Sequence, residues 1–157
     1  MGHPPPPLRR WVAALLLALA SVGGCHLLWP FGAFLFYCLA AWLLNLPIAR
    51  APNRVLSDLG DSAINTWIIA WVARCASHGF EGLMGGNLFH PFPHAFVLSN
   101  PMIAPGLLAW PMSLLGAGPA LMHNLLLLAS FPLSGISVYL LARRLNGSDA
   151  AAFVGGL

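Results

Sequence analysis

From Trp11 to Ile48 the chain carries no charged side chain. Drawn as one α-helix at 1.5 Å per residue, that run would be roughly twice as long as the ~30 Å hydrocarbon core of a bilayer. It therefore has to break or bend. The sequence Trp29-Pro30-Phe31-Gly32 marks the place, because proline lacks the N–H that continues a helix and glycine weakens it. The expectation is either two spanning helices in a tight hairpin or one kinked helix. Composition agrees: hydrophobic residues make up 59% of the 157 and charged residues 7%, against roughly 25% charged in a soluble domain. The predicted class is an all-α, multi-spanning helical membrane protein with the lipid bilayer as its first partner.

The formal charge of +3 comes from arginines placed singly or in pairs. Without lysines or a basic stripe no nucleic-acid face can be assembled, which excludes nucleic acid as a partner. Cys25, Cys38 and Cys75 contain no Cys-x-x-Cys pair and read as small buried thiols.

The remaining organisation follows from where charge and proline return. Residues 1–10, with Pro4 to Pro7 and Arg9-Arg10, form a stiff flank. That flank and the small residues before Cys25 imitate a secretory leader, but the apolar run resumes directly after Cys25, as a spanning segment would. Residues 49–119 hold Arg50, Arg54, Asp58, Asp61, Arg74, His78, Glu81, His90 and His94 among prolines and glycines, and read as a loop outside the bilayer. Within it Ile64, Trp67, Ile68, Trp71, Val72 and Cys75 recur at helical spacing, predicting an amphipathic juxtamembrane helix over 62–77. A second such helix is expected over 105–115. Residues 120–142 form a clear spanning segment, 143–149 a short loop around Arg143-Arg144 and Asn146-Gly147-Ser148, and 150–157 the start of a further apolar segment, so the architecture reads as cut off. Arg9-Arg10 and Arg143-Arg144 mark cytoplasmic ends, which puts the loop on the far side if an odd number of crossings precedes it, whereas Arg50, Arg54 and Arg74 pull the other way, so the charge rule leaves the topology open.

Three stretches, LGDSAINTWIIAWVAR, NLFHPFPHAFVLSNPM and HNLLLLASFPLSGISVYLLARRLNGSDAAA, together resemble the start of bacterial GT-C glycosyltransferases. The distinctive points are Gly60-Asp61, His90-Pro91 and Arg143-Arg144. In those enzymes the first outward loop carries an essential acid and two juxtamembrane helices, and Asp61 falls where that acid would be; the family's second acid is replaced by Ser62. The resemblance implies an inverting transfer of a sugar from a polyprenyl-phosphate-linked donor to an acceptor at the extracytoplasmic face of a bacterial inner membrane. It makes Asp61 the catalytic candidate and Asp58 the next. A carboxylate near the bilayer can accept the acceptor's proton or hold a divalent cation against the phosphate, and a low dielectric strengthens both actions. Arg74 or Arg54 can meet phosphate with a bidentate guanidinium, with His90 and His94 alongside. No metal ligand set is assigned. The usual chain of that superfamily is far longer, so this portion alone is not expected to be active.

The same residues have plainer readings. Asp61 stands just before a predicted helix, where aspartate commonly caps free amides; Asp58 suits a solvated turn. Arg74 suits a helix C-terminus or a lipid phosphate. His90 and His94 have the spacing of zinc-binding histidines, but Pro91 and Pro93 forbid the helix that would align them, leaving an interfacial turn that dips Phe89, Phe92 and Phe96 into the headgroups. His123-Asn124 suits hydrogen-bonded glue between elements. The competing classes are a non-enzymatic scaffold or transporter fragment and an inactive truncated product.

Overall fold

A computed structural model describes residues 25–86, 91–92 and 94–157, and all secondary structure in them is helical. The helices are α1 (Cys25–Leu44), α2 (Leu46–Arg50), α3 (Asp61–Ala76), α4 (Ile103–Leu114), α5 (Pro119–Asn146) and α6 (Asp149–Gly155), with 3₁₀ turns at Leu83–Gly85 and Ala95–Leu98 between α3 and α4. The expected flank over 1–10 and the apolar residues 11–24 lie outside the described residues.

α1 runs through Pro30 without interruption. Of the two alternatives at Trp29 to Gly32, continuity fits the single helix and not a hairpin turn there; the helix is interrupted at Asn45, whose side-chain amide donates to the Ala41 carbonyl at 2.9 Å. A proline removes one rung of the ladder, and the remaining apolar turns carry the helix across it.

α5 is long and apolar enough to cross a bilayer, the one such helix among the described residues. At 1.5 Å per residue its 28 residues extend roughly 42 Å. Only 17% of its most apolar 18-residue window is buried by the rest of the chain, unlike the core helix of a soluble protein. It continues through Arg143 and Arg144, so the connection to α6 shrinks to Gly147 and Ser148. Arginine is a good helix former and its charge favours the C-terminal end of the dipole. Gly147, at φ +65°, then turns the chain and donates to the Arg143 carbonyl at 2.8 Å.

The chain divides into two compact units. One contains residues 25–40 and Pro132–Leu157. Its core is Ala33, Tyr37, Tyr139 and Ala152. The Tyr37 ring stacks on Phe153 at 5.7 Å between centroids, and its hydroxyl donates to the Phe153 carbonyl at 2.8 Å. Tyr139 donates to Asp149 at 2.6 Å, and the same carboxylate pairs with Arg143 at 2.8 Å. α6 is thereby tied down at both ends.

The other unit, Ala41–Phe131, is organised around α3. One side of this helix, Ile69 and Ala73, packs with Ala109 of α4 and Met122 of α5; another, Ile68 and Val72, packs with Phe96. The buried surface therefore differs from a single stripe. Ile64 is 52% exposed, while Ser62, Thr66, Ile69 and Ala73 turn inward. Two sets of neighbours cover two faces, and no one-sided periodicity describes that arrangement. Phe96, anticipated as a ring dipping into headgroups, is fully buried in the core, whereas Phe92 is 66% exposed. Phe89 lies outside the described residues.

Candidate functional site

The segment leading into α3 is fixed from both ends. At its start, Asn124 of α5, fully buried, donates its side-chain amide to the carbonyls of Pro52 and Val55, each at 2.7 Å. A carbonyl can only accept, so the amide nitrogen must face this turn. The Asn124 Oδ1 atom then accepts from His123 Nδ1 at 3.2 Å, which places the imidazole proton on Nδ1.

At its end, the first turn of α3 is capped from outside the helix. The N-cap position is Gly60, which has no side chain to offer. Asp58 supplies the acceptor instead: Oδ1 takes the N–H groups of Gly60 at 2.8 Å and Ser62 at 3.3 Å, and Oδ2 takes the hydroxyls of Ser62 at 2.7 Å and Ser57 at 3.2 Å. The Ser57 and Ser62 hydroxyls also lie against each other, and with one proton apiece they share two donated hydrogen bonds among these three contacts. The capping role anticipated for Asp61 thus belongs to Asp58, two residues before the N-cap. The path of the turn, rather than proximity in sequence, brings a carboxylate over the free amides.

Hydrogen bonds from Ser62, first through its hydroxyl and then through its amide, hold the Asp58 carboxyl below the usual carboxylate range. Its pKa is lower folded than unfolded, so its stabilising contribution is complete above the ordinary carboxylate range and is lost as pH falls through the folded value. Acid titration of α3 unfolding should show this loss in the parent. Asp58→Asn keeps an acceptor for the two amides but has no proton to gain; it should flatten the acid limb, and an unchanged limb would place the effect on another group.

Asp61 is the first residue of α3, exposed, and its side chain makes no hydrogen bond or ion pair among the described residues. Its charge sits at the positive end of the helix dipole. The two carboxylates are therefore not equivalent, since the turn engages Asp58 and leaves Asp61 facing solvent. Arg54 is exposed in the turn anchored by Asn124. Arg74 is exposed in the last turn of α3, thirteen residues after Asp61, so about 20 Å of helix separates them. Arg74 and Asp61 do not form one site. His94 is exposed with a left-handed backbone, φ +60°, and His90 lies outside the described residues. Among the described residues no group of three His, Cys, Asp or Glu side chains is placed to hold a metal ion.

Sequence reasoning did not single out Ser57 and Ser62, and it left Asn124 as unspecific glue. The spacing Ser57-Asp58 followed by Gly60 and Ser62 is the available signal: an Asx-type turn immediately before a helix.

No protein-family model matches the chain, and no curated protein or solved structure matches it.

Proposed function

We propose that this chain is the N-terminal portion of a GT-C-like membrane glycosyltransferase. It would transfer a sugar from a polyprenyl-phosphate-linked donor to an acceptor at the extracytoplasmic face of a bacterial inner membrane. In this reading α1 and α5 are spans, α3 and α4 lie at the membrane surface, and Asp61 is the acting carboxylate. The observation that supports it best is the division of labour at the start of α3. Because Asp58 takes the capping hydrogen bonds from Gly60 and Ser62, the Asp61 side chain is not used as a cap; it stands exposed at a helix N-terminus that favours negative charge.

In that position Asp61 accepts the acceptor hydroxyl's proton as the new glycosidic bond forms and the polyprenyl phosphate leaves; alternatively it holds a divalent cation against the departing phosphate. Arg54, on the same anchored segment, is the nearer cation in sequence for that phosphate, and Arg74 is assigned to lipid headgroups. The bilayer is the remaining partner: Leu28, Phe31, Leu35 and Leu39 on α1 and Leu133, Leu140 and Leu141 on α5 are all exposed large apolar side chains.

The test is transfer of labelled sugar by the full-length protein in membranes supplied with polyprenyl-phosphate-linked hexoses and pentoses. Asp61→Asn should lose roughly 10²- to 10⁴-fold in turnover at unchanged abundance. Wild-type turnover in that variant would rule out Asp61. An absence of transfer from every donor by the parent would favour the scaffold reading.

A further inference from the structure

We propose that Asn124 is a positioning residue that holds the Asp61-bearing segment in register with α5; the inference rests on the reading of Asp61 as the acting carboxylate. Asparagine is a costly choice at this place. It is a poor helix former, it is fully buried, and it precedes the apolar run Leu125 to Leu128. What offsets that cost is complete use of the side chain: both amide protons go to the Pro52 and Val55 carbonyls, and the oxygen takes the His123 proton. No apolar residue of similar size satisfies those two carbonyls.

The linkage from Asn124 to Asp61 is short. The pinned turn ends at Val55, Ser57 and Asp58 follow within three residues, and Asp58 grips the amides of Gly60 and Ser62, which flank Asp61 at the start of α3. Asn124 thus fixes the outer end of the same segment whose inner end Asp58 fixes. Releasing the outer end lets Asp61 drift relative to a substrate seated against the membrane, and displacements of about 1 Å can cost on the order of 100-fold in rate.

The experiment uses the full-length protein in a cysteine-free background. Spin labels are placed at Leu59, which is 92% exposed, and at exposed Ser130 on α5. Asn124→Asp keeps the volume but turns a donor into an acceptor facing two carbonyls. It should broaden the 59–130 distance distribution, and it should lower kcat roughly 10- to 100-fold with the donor KM unchanged. In the Asp61→Asn background the same substitution should cost almost nothing further, because a residue that acts through Asp61 has nothing left to position. Should Asn124→Asp fail to accumulate in membranes, Asn124→Ser, with one donor and no charge, replaces it. An unchanged distance distribution overturns the proposal, as do rate losses that multiply in the double variant. Wild-type turnover by Asp61→Asn sinks the Asp61 reading instead, and the label distances then decide the anchoring alone.

Discussion

Gly106→Ala should destabilise the α3–α4 pair although alanine is the better helix residue. By propensity alone the change gains roughly 1 kcal/mol. A Cβ at position 106, however, would overlap Cβ and Cγ1 of Val72, which is fully buried on α3. Overpacking of this kind costs about 1–3 kcal/mol, and here the obstructing atom is a Cβ fixed to the backbone, so no rotamer change relieves it. α3 and α4 have to separate, loosening Ile69, Ala73 and Ala109 as well. The net sign is therefore destabilising. Cys75 reports it: its thiol is buried, and desolvation raises its pKa, so it stays unreactive until the unit opens. With Cys25 and Cys38 replaced, thermal unmasking of Cys75 should move to lower temperature in Gly106→Ala. Val72→Gly should partly restore it and Val72→Ala should not, since Val72→Ala keeps the offending Cβ. Restoration by both would show that the methyl groups, not the backbone approach, set the spacing.

Gly135→Ala should release α6. A Cβ there would come within 2.8 Å of the Gly156 carbonyl oxygen and 2.9 Å of the Tyr37 ring. The first is backbone and cannot step aside; the second is held by its hydrogen bond to Phe153 and by ring stacking. Relief requires α6 to move away, which breaks those contacts together. A loss of about 1–3 kcal/mol is expected, read as amide exchange in Ala152 to Gly156 faster by roughly 10- to 100-fold. Exchange at the parent's rate would show that the crossing has slack. Tyr37→Phe, which removes only the hydroxyl, should produce a smaller acceleration of about 1 kcal/mol equivalent.

Gly106 was not legible as a contact point. Gly135, with Ser130, Ser134 and Ser137, reads from the sequence as a close-packing face of α5, but nothing local says that the Gly156 backbone and the Tyr37 ring are what it admits. The same holds for Phe96. A phenylalanine just after the His90-Pro-Phe-Pro-His94 stretch reads as interfacial, and it became core because the loop after α3 folds back, with Trp71 donating to the Leu83 carbonyl at 3.1 Å and Phe96 closing over Ile68 and Val72. Asp58 and Asp61 show the limit most clearly: both lie near a helix start, and either could have been the cap.

What the sequence by itself determined is the all-helical class, because long uncharged apolar runs and a 3.6-residue period are local properties that each segment carries without its neighbours. It likewise determined that a helix long and apolar enough for a bilayer would contain Leu125 to Tyr139. The tertiary structure alone decided which carboxylate caps and which is left exposed, which faces of α3 are buried, and what Asn124 holds. Each of these depends on atoms whose meeting no local pattern announces, as Asn124 meets Pro52 across 72 residues. Hydrogen bonds and close packing act over a few ångströms of space and take no account of distance along the chain.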